Sequence, residues 1–115
     1  MTAIPFHQKT SGNNFAQMDS PLEVEWTNRS LRNAQKIRDY LISEFSSKEI
    51  HEFENLLGHF ENTVSIFPKI YPQSTRYPML RRAVLHKLTS VFYTIQEDKI
   101  IVIAIQDNRQ ETSGK

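Results

Sequence analysis

Two consecutive amphipathic helix patterns, joined by a short Ser-Ser turn, constrain the fold of this chain more than any other feature. The first apolar stripe starts at Leu31 and is predicted to end near Phe45, with the three- and four-residue steps of one helix face. Ser46 and Glu49, three residues apart, have the spacing of a capping box, so a second helix is predicted to begin at Ser46. Pro68 ends it. Two helices so closely connected form an antiparallel hairpin, whose apolar side needs a surface to cover.

Strand patterns that can supply this surface lie on both sides of the hairpin. They are predicted at residues 22–26, 79–86, 88–96 and 100–106. The last run is apolar on both faces, as a central strand is, and a turn at residues 97–99 leads into it. The order predicts an α+β fold, with an N-terminal strand and the αα-hairpin packed on a twisted antiparallel β-sheet. We expect interior positions at Ile37, Leu41, Phe53, Leu57, Phe60, Val102 and Ile103.

Three aromatic residues of the strands have predicted places in this fold. Phe92 and Tyr93 are adjacent in the third predicted strand and are expected to alternate across the sheet, within the core. Trp26 ends the first strand, and we expect it to pack against the first helix rather than to stack on a nucleic-acid base.

The length of 115 residues suits one domain, predicted at residues 21–110. Residues 1–20 form a polar arm, either disordered or not native, and residues 111–115 a polar tail. The chain has no cysteine, which excludes disulfide scaffolds and cysteine nucleophiles. Its four histidines are too scattered for a metal site and its three glycines for a phosphate loop, so neither a metal nor a cofactor is expected. Without a long apolar run or a secretory signal, a cytoplasmic location is expected.

The charge of the chain is unevenly distributed. Residues 1–68 contain six Lys or Arg against nine Asp or Glu, a balance of −3, whereas residues 69–115 contain eight against four, a balance of +4. Such asymmetry indicates either a basic half that faces an anionic partner or a chance segregation of charges between helices and strands.

A cluster of basic residues lies in and after the strands. Arg81 and Arg82 are adjacent on a strand, so their side chains leave on opposite faces. One of them should reach the open sheet face together with His86 or Lys87, and Arg109 should approach from the end of the last strand. Several guanidinium groups there can grip phosphates or carboxylates bidentately. The alternative is a solubilising surface, with salt bridges to acidic neighbours.

The segment from residue 22 to about residue 110 resembles the RelE/ParE toxins, a superfamily that includes plasmid stabilization proteins. The shared features are a strand ending in Trp26-Thr27, a helical hairpin and then the run LRRAVLHKLTSVFYTIQEDKIIVIAIQDNRQ. The resemblance implies a growth-inhibiting toxin of a bacterial type II toxin–antitoxin system. It also implies a cognate antitoxin as partner. The expected assembly is either a homodimer or a heterotetramer with the antitoxin.

Members of this superfamily differ in their targets. RelE-like toxins cut mRNA on the translating ribosome, whereas ParE-like toxins poison DNA gyrase. By position, Arg81 and Arg109 correspond to basic residues of the RelE-type site. Ser90, three residues before Tyr93, stands where RelE-like toxins carry a catalytic arginine, and Ala83 replaces another basic residue. RelE-like toxins often use a tyrosine near the end of the chain, and the tail after Arg109 contains none. These departures favour ParE-like inhibition of a protein target over RNA cleavage.

Two other functions remain open from the sequence. One is a ribosome-dependent endoribonuclease, for which the catalytic candidates are Arg81, His86, Lys87 and Arg109. The other is a non-toxic protein-binding domain of the same fold. For contact with a target or an antitoxin, the predicted residues are Arg81, Arg82, Lys87, Tyr93 and Arg109.

Overall fold

The computed structural model describes residues 21–86 and 89–108. These residues follow the predicted order of one strand, two helices and three strands. The elements are β1 (Glu23–Trp26), α1 (Asn28–Glu44), α2 (Ser47–Ile66), β2 (Arg81–His86), β3 (Thr89–Gln96) and β4 (Lys99–Asp107). The arm predicted at residues 1–20 and the tail at residues 111–115 lie outside the described residues.

Each of the two helices begins after a residue whose side chain caps it. The Thr27 side chain accepts a hydrogen bond from the Ser30 backbone N–H at 3.1 Å and caps α1. The predicted capping box of α2 is confirmed, and the Glu49 carboxylate accepts from the Ser46 backbone N–H at 3.2 Å. The Ser46 hydrogen bond lowers the pKa of Glu49. Neither α1 nor α2 has a stretch long and apolar enough to span a membrane.

The four strands form one sheet in the order β1-β4-β3-β2. The prediction that the run at residues 100–106 is a central strand is confirmed, because β4 lies between β1 and β3. The β2–β3 and β3–β4 pairs are antiparallel, as expected, but β1 runs parallel to β4, so the sheet is mixed. Lys99 on β4 contacts Glu25 across this parallel pair at 2.7 Å.

The hairpin covers the sheet face that carries Tyr93 and Val102. The buried core joins both helices to this face and includes Ile37, Leu41, Phe53, Leu57, Phe60 and Val102, as predicted. Ile103 was also expected in the interior, but it is only half-buried. Successive residues of a strand face opposite sides, so Val102 and Ile103 cannot share the core face. The register of β3 and β4 shifts between Phe92 and Tyr93, which pair with Ala104 and Val102, so that Ile103 has no partner in the register between them.

Trp26 packs at the edge of this core, where its indole N–H donates to the Glu61 carboxylate of α2 at 2.6 Å. This hydrogen bond joins β1 to α2, and the packing of Trp26 against α1 stays a prediction. Glu61 is 6% exposed, and burial raises the pKa of its carboxyl to about 7, against the lowering effect of the indole donor. This carboxyl is therefore a buried titratable group within the hairpin-to-sheet contact.

Candidate functional site

A groove of about 540 Å³ lies on the sheet face opposite the core. Its floor is apolar, formed by Phe92, Ile103 and Ala104, and one wall is the start of α1. The other wall is the connection between α2 and β2, in particular residues 74–77. We call this feature the arginine groove, because guanidinium groups from three elements line it.

The three arginines come from separate parts of the sequence. Arg29 lies in the first turn of α1, Arg76 in the connection and Arg82 on β2. All three are exposed, and none forms an ion pair with another described residue. No described residue of the groove lining is acidic, so the lining carries three positive charges without a compensating carboxylate. This arrangement is suited to binding anions.

Aromatic rings hold two of the guanidinium groups in place. The Arg76 guanidinium lies 5.6 Å from the centre of the Tyr77 ring, and the Arg82 guanidinium 5.8 Å from that of Phe92. The two rings meet edge to face at 6.3 Å. The Nε of Arg82 also donates to the Ser90 hydroxyl at 3.2 Å. Arg76 and Arg82 are thus preorganised around one aromatic pair.

Backbone hydrogen bonds position the groove walls. The Asn33 side chain accepts from the Ile105 backbone N–H at 3.1 Å and fixes the first turns of α1 to β4. The Ser74 hydroxyl, on a residue that is 6% exposed, accepts from the Tyr77 backbone N–H at 3.0 Å. The Ser74 backbone N–H in turn donates to the Leu80 carbonyl at 2.8 Å. These contacts fold the connection that carries Arg76.

Arg29 stands at an unusual position for a cation. The N-terminus of a helix carries a partial positive charge, which favours acidic residues there and disfavours arginine. The first turn of α1 contains no acidic residue. Helix stability therefore does not explain Arg29, whereas an anion held in the arginine groove would compensate both the helix terminus and the guanidinium.

The predicted pair Arg81 and Arg82 is divided between the two faces of the sheet, as expected, and Arg82 reaches the open face. Arg81 points to the core side, where its Nη1 donates to the Tyr71 carbonyl at 2.6 Å and more loosely to the Lys69 carbonyl at 3.5 Å. It therefore ties the connection after α2 to the sheet. Arg81 does not line the arginine groove.

Of the other predicted site residues, the two that the structure describes, Tyr93 and His86, do not line the arginine groove. Tyr93 was expected to contact a partner, but its side chain is fully buried and donates to the Pro68 carbonyl at 2.7 Å. Burial raises the pKa of this hydroxyl. Tyr93 therefore serves the core, out of reach of a partner. His86 ends β2, is exposed and does not line the groove. Lys87 and Arg109 lie outside the described residues.

Two groove residues, Arg29 and Arg76, were not predicted from the sequence. Arg29 had one detectable signal, namely a basic residue in the first turn of a helix that has no acid there. Arg76 had none, because it lies in an irregular connection whose path depends on Ser74 and Leu80.

No family model and no curated protein matches the sequence, but solved structures share its fold. A chain of the chromosomal ParDE toxin–antitoxin system from P. aeruginosa superposes with a TM-score of 0.64 and 11% identity, covering 75% of this chain and 95% of that chain. This chain has the RelE/ParE toxin fold. A copper-bound mutant toxin from Helicobacter pylori superposes with a TM-score of 0.55 and 14% identity, over 77% and 97% of the two chains. A chain of the E. coli DinJ-YafQ toxin-antitoxin complex gives 0.52 and 9%, over 78% and 96%.

Within this RelE/ParE fold, the arginine groove has the chemistry of a binding site. The groove lining in the described residues contains no histidine, lysine or carboxylate to transfer a proton near neutral pH. Ser90, which the sequence resemblance predicts to stand in place of an arginine of RelE-like toxins, is 5% exposed and accepts the hydrogen bond from Arg82. A hydroxyl in this position supplies no positive charge to a reacting phosphate.

Proposed function

We propose that this chain is the toxin of a bacterial type II toxin–antitoxin system, located in the cytoplasm and neutralised by a cognate antitoxin. The fold carries this proposal, because the similar structures include chains of two toxin–antitoxin systems and are covered over almost their whole length. The sequence resemblance over residues 22–110 supports the same role independently of the superpositions.

We further propose that the toxin acts on a protein target, of which DNA gyrase is the ParE-like example, and does not cleave mRNA. Cleavage by the 2′-hydroxyl needs a base, a cation for the phosphorane and an acid for the leaving group. Of the candidates for these roles, Arg81 donates to backbone carbonyls on the other face and His86 lies outside the groove. Attraction of a phosphate by Arg29, Arg76 and Arg82, without an acid or a base beside them in the described lining, is ground-state binding, which does not lower the chemical barrier.

The first experiment tests the toxin role in living cells. The chain is placed under an inducible promoter, with and without the small acidic open reading frame expected beside its gene. We expect growth to stop on induction and to resume when the neighbouring protein is co-expressed and co-purifies with the chain. Normal growth with the full-length, folded protein would favour the non-toxic binding domain instead.

The second experiment separates the two mechanisms. Purified chain is added to primed ribosomes, where 3′ ends are mapped, and to DNA gyrase, where supercoiling is measured. We expect inhibition of supercoiling and no codon-specific cuts. The matched variant is Arg81→Ala, since clean cuts in the ribosomal A site that vanish in this variant would establish the endoribonuclease. In that case the ParE-like mechanism would be wrong, while the toxin role would stand.

A further inference from the structure

One face of each aromatic ring in the arginine groove is already occupied by a guanidinium. Single-stranded RNA is commonly bound by open aromatic faces on which successive bases stack. Here Arg76 covers one face of Tyr77, Arg82 covers one face of Phe92, and the rings contact each other edge to face. A base stacking on either covered face would have to displace a guanidinium.

The same geometry suits a carboxylate. A guanidinium held over a ring still has N–H groups free to donate, and its planar fork matches a planar acceptor through two parallel hydrogen bonds. The arginine groove offers two guanidinium groups that lie over rings, those of Arg76 and Arg82, and a third from Arg29, around an apolar floor that includes Ile103 and Ala104. Its complement is an extended segment that combines acidic side chains with an apolar one.

We propose that the arginine groove binds an acidic, partly apolar segment of the antitoxin, with carboxylates on Arg29, Arg76 and Arg82 and an apolar side chain on Phe92 and Ile103. This inference rests on the proposed function, because it names the place where the partner is held. Charge complementarity supports it: the groove lining carries three positive charges and no described acid. Neutralisation of those charges also relieves the unfavourable place of Arg29 at the N-terminus of α1.

The test measures the affinity of the full chain for the protein of the neighbouring open reading frame by titration calorimetry. We expect Arg29→Ala, Arg76→Ala and Arg82→Ala each to weaken binding about tenfold, as for the loss of a charge-assisted hydrogen bond. The matched control is Arg32→Ala, an exposed arginine one turn along α1 that does not line the groove. It should change the affinity less than about twofold.

A lysine variant tests whether binding depends on the geometry of the guanidinium group or only on its positive charge. Arg82→Lys keeps the charge but loses the flat, bidentate guanidinium, so we expect it to weaken binding nearly as much as Arg82→Ala. If Arg82→Ala does not fold, Arg82→Lys still tests the role of this arginine in binding, because the lysine stem still covers Phe92. Equal affinity of wild type and Arg82→Lys, with a loss only at high salt, would overturn the proposed geometry.

The outcomes distinguish the two proposals. If the neighbouring protein does not bind the wild-type chain, the proposed function fails. If it binds wild type and the three alanine variants equally, the toxin role stands and the groove inference is overturned. A peptide of alternating glutamate and leucine and an oligouridylate of equal length serve as direct probes. Peptide binding that is lost in Arg82→Ala supports the inference, whereas tighter binding of the oligouridylate, lost in the same variant, overturns it in favour of nucleic acid.

Discussion

The buried Glu61 carboxyl makes the stability of this fold depend on pH in a direction opposite to that of most acidic residues. Burial raises its pKa from 4.5 to about 7. The folded chain therefore holds the proton more tightly than the unfolded chain does. The stabilising contribution of Glu61 is fully present below pH ~4.5 and is lost as the pH rises through about 7. Above that pH the folded state contains a buried charge.

The substitution Glu61→Gln removes this charge and keeps an oxygen that can accept from the Trp26 indole. Once the carboxyl is ionised, a pKa difference of this size lowers the free energy of unfolding by about 3 kcal/mol. We therefore expect Glu61→Gln to stabilise the fold by about 3 kcal/mol at pH 8, where wild-type Glu61 must ionise. At pH 5 the carboxyl is mostly protonated, and the gain should fall to ~1 kcal/mol.

Urea unfolding at both pH values measures this effect. The chain contains one tryptophan, so the fluorescence of Trp26 reports on unfolding and on its bond with Glu61 together. Glu52→Gln, at an exposed position of the same helix, is the matched control and should change stability by less than ~0.5 kcal/mol. A gain for Glu61→Gln that is equal at pH 5 and pH 8, or a loss at pH 8, would refute the role of the buried charge.

Three further predictions follow from the packing. Leu57→Ala should lower the free energy of unfolding, measured by thermal unfolding, by ~2–5 kcal/mol because Leu57 is fully buried. Ile103→Ala should lower it by less than ~1.5 kcal/mol because Ile103 is only half-buried. Equal losses would contradict the assignment of these two residues to the core and to the groove. Tyr93→Phe should lower the free energy of unfolding by about 1 kcal/mol, because the hydrogen bond to the Pro68 carbonyl is lost, and should leave antitoxin binding unchanged. Weaker antitoxin binding by this variant would show that Tyr93 contacts the partner. Ser46→Ala should cost ~1 kcal/mol measured by denaturant unfolding, and Ser46→Asp, which keeps a cap, should restore most of it.

Much of this fold could be predicted from the sequence because it depends on neighbouring residues. Helix caps such as Thr27 and Ser46 act within three residues of themselves, and apolar spacing defines a helix face without reference to the rest of the chain. The same holds for β4, whose apolar residues on both faces indicate a central strand wherever its neighbours lie. The order of elements and most of the core therefore followed from local patterns.

The tertiary structure alone decided which side chains share a surface. The parallel pairing of β1 with β4 joins residues such as Glu25 and Lys99, which are far apart in sequence. The path of the connection after α2 brought Arg76 to the same groove as Arg82. Local periodicity contains no information on these long-range pairings, because sheet register is set by how distant segments pack together. For this reason the sequence showed an excess of basic residues after residue 68, and only the fold brought Arg29 from the other half to Arg76 and Arg82 in the arginine groove.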